Sequence, residues 1–159
     1  MRCLKTAKPL AYALSLFVIL FAWPARAIAC SCDRPPAKEA VKASLLAFRG
    51  TVAKVEYLDP DTPQSEPRII VTFSVSRVWK GPARREVVLH TVYNKYWCEG
   101  YYFKKGNEYL VFAYLNHERM AKRFLPAKDT LGTNYCNGTT AIEFAGEYLR
   151  ALGRGRKPK

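Results

Sequence analysis

The sequence predicts an all-β fold with flanking helices: a five-stranded Greek-key barrel of the oligonucleotide/oligosaccharide-binding (OB) type, with a short N-terminal helix and a C-terminal helix. Three observations carry this. The middle of the chain alternates apolar and polar residues in short runs, the period of half-buried strands. Helical spacing is confined to the two ends of the segment that follows residue 30. Pro-, Gly- and Asp-rich breaks separate the runs, where a parallel α/β sheet would need helices, and a sandwich would need more strands.

The first residues are set apart from this domain. Arg2, Lys5 and Lys8 precede an apolar run from Leu10 to Trp23, which Pro24 closes, and Ala27-Ile28-Ala29 follow. That order is the order of a secretory signal with an A-x-A cleavage site. The run is too short to cross a hydrocarbon layer of about 30 Å, which takes roughly 20 apolar residues. Cleavage after Ala29 makes residues 1–29 the signal peptide and Cys30 the first residue of a secreted or periplasmic chain with no transmembrane segment. A bacterial lipoprotein signal also presents a cysteine at this point, and acylation of Cys30 would instead anchor the protein by lipid; Ala27 stands where such signals usually carry Leu. Cysteine parity favours the free N-terminus. Of the five cysteines, Cys3 leaves with the signal, and Cys30, Cys32, Cys98 and Cys136 remain. An even number in an exported chain points to two disulfides.

The elements then follow in order. Asp33-Arg34-Pro35-Pro36 is a stiff, extended connector, because each Pro fixes its own φ and turns its predecessor away from helix. Ala37 to Leu46 carries apolar residues at Ala37, Ala40, Val41 and Leu45, the spacing of a short helix. Phe48 to Leu58 reads as a strand with a bulge at Gly50. Residues 59–67 hold three Pro and two Asp and form a polar loop. Arg68 to Trp79 is the cleanest strand, with Ile69, Val71, Phe73 and Val75 on one face, and Lys80-Gly81-Pro82 ends it. Arg85 to Tyr93 and Glu108 to Leu115 are the third and fourth strands, the latter after a Gly106-Asn107 turn. Ala121 to Leu125 is a short fifth. From Thr139 to Leu152, an apolar stripe of Ile142, Ala145, Tyr148, Leu149 and Leu152 marks the second helix. The domain therefore spans residues 30–152, and residues 153–159 read as a basic, disordered tail.

Charge and motifs narrow the function. The whole chain carries +13. Loss of residues 1–29 removes Arg2, Lys5, Lys8 and Arg26 and no carboxylate, leaving 22 basic residues against 13 acidic ones, or +9. Such an excess favours acidic surfaces and polyanions and says little about fold. Tyr93, Lys95, Tyr96, Trp97 and Tyr101, with Tyr102, Lys104 and Lys105, form an aromatic and basic patch around Cys98, expected either to pack against the Cys30 bridge or to form the rim of a protein-binding surface. Single-stranded nucleic acid would stack on such residues, but an exported chain does not ordinarily meet it. His90 alternates with Val88 and Val92 as a barrel-face residue, and His117 falls in a polar turn. No metal-ligand spacing, nucleophile elbow or phosphate-cradling loop is present, so neither an enzyme nor a cofactor is expected. Asn137-Gly138-Thr139 matches the N-glycosylation acceptor.

Cys30-Ser31-Cys32 at the mature N-terminus, a short helix, a Val-rich strand, Val78-Trp79-Lys80-Gly81-Pro82, Cys98, Gly106-Asn107-Glu108-Tyr109-Leu110 and Cys136 occur in that order. Together they resemble the tissue inhibitors of metalloproteinases and the wider netrin-like module, over about residues 30 to 150. The resemblance implies an OB-type barrel and the disulfides Cys30–Cys98 and Cys32–Cys136. It also implies a function: a monomeric secreted inhibitor of a zinc metalloprotease. Cys30 would chelate the protease zinc through its α-amino nitrogen and carbonyl oxygen, Ser31 would enter the primary specificity pocket, and Cys32 and Asp33 would run on along the cleft. The chain departs from the family in lacking the cysteines of a third disulfide, in lacking a second domain, and in placing Asp33-Arg34 between the Cys pair and Pro35. The alternative is a non-inhibitory extracytoplasmic module that binds a protein or polyanion through its basic, aromatic surface.

Overall fold

Local sequence sets where each element starts and stops. The computed structural model describes residues 32–58, 68–92, 100–116 and 130–159. Pro36 supplies the extended residue before helix α1, Ala37–Ala43, whose exposed face carries Lys38, Glu39 and Lys42 and whose buried face is Ala37 and Ala40. α1 stops three residues short of the expected Leu46. Ser44 turns to extended backbone and bonds back to Val41 O at 2.9 Å through its hydroxyl, and the Leu45 N–H joins Ala113 O at 2.8 Å. Pairing with a strand outweighs helical spacing here.

Strand β1 spans Leu46–Leu58, β2 Arg68–Lys80, β3 Glu86–Val92 and β4 Glu108–Leu115. Two short strands follow, β5 at Leu131–Gly132 and β6 at Thr140–Ala141. The sheet is antiparallel in the order β3-β2-β1-β4-β5, with β6 on β4 beside β5. It curls until β5 comes against β3, where Asn116 at the end of β4 donates to His90 O at 3.4 Å, so the sheet is barrel-like and nearly closed. The expected bulge at Gly50 is present as a register shift between Arg49 and Gly50. A Cβ on Gly50 would stand 2.9 Å from Ser74 O, too close for any other residue. The expected fifth strand, residues 121–125, lies outside the described residues.

Alternation sorts the strands into two cores. Phe48, Val52, Val71, Phe73, Leu89 and Val111 point inward and are buried. On the outer face, Ala47, Leu110 and Phe112 are buried as well, because α1 and the C-terminal segment cover them. That segment is not one helix from Thr139. It runs as β6, a 3-10 turn at Ile142–Phe144, and helix α2 at Gly146–Leu152. Its expected stripe nevertheless packs together: Ala145 is fully buried, and Ile142, Tyr148, Leu149 and Leu152 lie against Phe112 and Ala40. Farther along the outer face, Arg49 binds the Glu108 carboxylate through two hydrogen bonds of 2.7 and 2.6 Å. These bonds hold the Glu108 carboxyl below the usual carboxylate range and raise the Arg49 guanidinium.

The basic tail departs from expectation. Residues 153–159 are docked, not disordered. Val78 and Arg156 exchange backbone hydrogen bonds of 2.9 and 2.8 Å, and the Lys159 N–H reaches Ala83 O at 2.9 Å. The Trp79 indole donates to Gly153 O at 3.0 Å and lies against Gly155. The reason is topological: the β2–β3 ladder ends at Ser74 and Glu86 while β2 continues to Lys80. That leaves an open strand edge for the tail to occupy.

Candidate functional site

The site expected from sequence is the arm that precedes α1, and its described part starts at Cys32. A disulfide joins Cys32 to Cys136 with 5.3 Å between Cα atoms, closing a separation of 104 residues. Cys30, Ser31 and Cys98 lie outside the described residues, as does the expected Cys30–Cys98 bridge. Asp33 and Arg34 are exposed. Past them the Tyr148 hydroxyl donates to Pro35 O at 2.7 Å, and partial burial against the arm pushes its phenol up. The chain is thus held on both sides of Asp33.

The receiving end of the disulfide is built to be rigid. Phe112 pairs with Ala47 of β1 on one edge but has no strand partner on the other, where β4 pairs with β5 through Tyr114 and Leu115 and with β6 through Tyr109 and Leu110. Side chains take the place of the missing strand. The Phe112 N–H bonds the Thr139 hydroxyl at 3.0 Å, and the Thr133 hydroxyl donates to Phe112 O at 3.0 Å. The Asn137 amide donates to both Phe112 O and the Thr133 hydroxyl, while its carbonyl accepts the Thr139 N–H at 3.0 Å. The Cys136 N–H is capped by the Asn134 side chain at 2.9 Å. Asn137-Gly138-Thr139, the acceptor triplet read from sequence, is therefore a turn clamp in which both amide protons of Asn137 are engaged. Gly138 has φ of +94°, which strains any other residue, and a Cβ there would stand a tight 3.1 Å from the Tyr148 ring.

Arg34, Pro35, Pro36, Phe144, Glu147 and Tyr148 line an open cleft of about 680 Å³ between the arm and α2. Phe144 stands 72% exposed on its rim. Sequence periodicity gives no signal for Phe144, which falls outside the apolar stripe of Ile142, Ala145, Tyr148, Leu149 and Leu152 and ends the 3-10 turn.

The aromatic patch divides. Tyr101 is corrected from a surface residue to a core one: it is 8% exposed, with ring centroids 4.7 Å from Phe103, 4.6 Å from Tyr135 and 5.9 Å from Tyr109. Burial pushes its phenol up to about 12. The cause is the return of the chain into the sheet, where the Tyr101 N–H meets the Thr91 hydroxyl at 3.0 Å inside the barrel. Tyr102, Lys104 and Lys105 are exposed, and Tyr102 interacts with exposed Tyr57 of β1, which sequence reading had not grouped with it. Tyr93, Lys95, Tyr96 and Trp97 lie outside the described residues, as does His117. His90 faces outward between exposed Val88 and buried Val92, and burial lowers its imidazole. Among the described residues no three His, Cys, Asp or Glu side chains are grouped to hold a metal ion, and no helix is long and apolar enough to cross a membrane.

Neither a protein-family model nor a curated protein sequence matches this chain.

Proposed function

We propose that the mature protein is a secreted inhibitor of zinc metalloproteases. The free amine and carbonyl oxygen of Cys30 would occupy the position that a catalytic zinc keeps open for water, displacing the nucleophile. The observation that carries this reading is the doubly anchored arm. The Cys32–Cys136 bridge and the hydrogen bond at Pro35 fix the chain around Asp33, which gives the arm a fixed base at Cys32. Such preorganisation lowers the ordering cost of binding. On this reading the signal is cut after Ala29, Cys30 pairs with Cys98, Ser31 fills the primary specificity pocket, and Cys32 and Asp33 continue along the cleft. The strand order β3-β2-β1-β4-β5, with β5 returning to β3, supports an OB-type barrel of the netrin-like kind.

The test is one residue at the N-terminus. Mature protein beginning at Cys30 is compared with a variant carrying one extra alanine ahead of it, against a panel of zinc metalloproteases with a fluorogenic peptide. The added residue moves the amine away from the metal, and inhibition is expected to vanish. Equal inhibition by both forms would exclude chelation. The amine must also be neutral to coordinate. With an α-amino pKa of about 7.7–8.0, the inhibition constant is expected to rise roughly tenfold for each pH unit below about 7.

A further inference from the structure

The docked tail completes a cationic edge that the inhibitory arm does not use. Pairing of Arg156 with Val78 and of Lys159 with Ala83 lays residues 153–159 along residues 75–86. Lys80 joins the end of α1 to the same edge, its ammonium donating to Val41 O and Lys42 O at 3.0 and 2.8 Å. Residues 42–45, 75–86 and 153–159 together hold nine Lys and Arg against a single carboxylate, Glu86. Arg84, Arg85, Arg154, Arg156, Lys157 and Lys159 are exposed. The ion pairs among the described residues, Arg49–Glu108 and Lys54–Glu56, involve none of them. Within this rim Leu45 stands 53% exposed, its backbone fixed by the hydrogen bond to Ala113 O. Exposed Pro82 lies on the adjoining turn, where the neighbouring Gly81 abuts Leu45 O.

We propose that this edge docks the protein on an anionic phospholipid bilayer, the cations meeting headgroup phosphates and Leu45 entering the interface. A polysaccharide or nucleic acid would use the cations equally. Neither gives a rigidly held, exposed leucine an apolar layer to enter, whereas a bilayer interface does. Each Lys or Arg near an anionic surface adds about fivefold to partition, and salt weakens the effect.

Cosedimentation of the mature protein with phosphatidylcholine vesicles, with and without phosphatidylglycerol, tests the assignment. Binding is expected only with phosphatidylglycerol and is expected to fall as salt rises. The quadruple variant R84Q/R85Q/K157Q/K159Q should lose partition by about a hundredfold or more. Should that variant fail to fold by circular dichroism, the pair K157Q/K159Q is expected to lose about twenty-fold. Leu45→Ser should weaken binding severalfold at every salt concentration, leaving the salt slope unchanged. The proposal is overturned by absence of binding to phosphatidylglycerol vesicles, by partition that survives the charge substitutions in a folded variant, or by indifference to Leu45→Ser. Capture by heparin or single-stranded DNA without vesicle binding would overturn it in favour of a soluble polyanion.

Discussion

The chain enters and leaves the barrel by two arms, and they are held in different ways. The arm before α1 is tied by a covalent bond at Cys32 and by one side-chain hydrogen bond at Pro35. The arm after α2 is tied by backbone pairing at Arg156 and Lys159 and by the Trp79 indole. A disulfide fixes atoms to within its own geometry and does not exchange with solvent. A strand laid on an open edge satisfies that edge but can peel away, since each of its hydrogen bonds contributes only about 0.5–1.5 kcal/mol net. The first arrangement suits a segment whose position must be exact to act. The second suits a cover that protects β2 and carries charge. The two arms also use different parts of the fold: the N-terminal arm rests on the 133–139 turn, and the tail rests on β2.

Removing the covalent tie should have the largest effect. The double variant Cys32→Ala/Cys136→Ala opens a loop of 104 residues, for which chain entropy predicts a loss of about 4–5 kcal/mol. Urea denaturation followed by tryptophan fluorescence measures it. Inhibition, where present, should fall with it, because the arm loses its anchor. A loss below about 1 kcal/mol would mean that the arm is held by its non-covalent contacts, and would erase the contrast with the tail. Deleting residues 153–159 should cost less, about 1–3 kcal/mol for the lost pairing and the Trp79 bond. The bared β2 edge should then favour self-association, visible by size-exclusion chromatography. Inhibition should persist in that deletion. If it is lost, the two arms are coupled and the separation drawn above fails.

Much of this architecture was legible in the sequence, for a physical reason. β1 to β4 each bury one face against the barrel interior, so alternation places them to within two residues. The stripe Ile142, Ala145, Tyr148, Leu149 and Leu152 is read correctly as one packing face, although its first residues are not α-helical. What escaped is what depends on distant partners. Gly153 to Lys159 has no apolar alternation, and its docking follows from β2 outrunning β3, a difference seen only after the strands pair. Tyr101 carries the same side chain as exposed Tyr102, and it is Tyr101 that turns inward, onto Phe103, Tyr109 and Tyr135, with its N–H on the Thr91 hydroxyl. Asn137 matches an acceptor triplet locally, yet its amide is taken by Phe112, 25 residues away. The anchor at Cys32 was located from cysteine order together with a family resemblance, and the structure supplies the turn that receives it.

The buried Tyr101 ring gives a finer test of that turn. It stacks on Tyr135, the neighbour of Cys136, so the core beneath the N-terminal anchor contains an ionisable group while the tail is held by groups that do not titrate in the same range. Burial raises the folded-state phenol to about 12 against an ordinary value of 10.0. Between those values the folded protein binds more protons than the unfolded chain, so stability is fully present below about pH 10 and falls as pH rises toward 12. Tyr101→Phe keeps the ring contacts but removes the proton and the hydroxyl's backbone hydrogen bond at Ala141, so the decline over that window should become shallower while stability at neutral pH falls by about 1 kcal/mol. Hydrogen exchange at high pH should show the 133–139 turn opening ahead of the Val78–Arg156 pair in the parent protein, with the order lost in Tyr101→Phe. An unchanged alkaline slope in the variant would place the titration elsewhere and separate the anchor from the aromatic core.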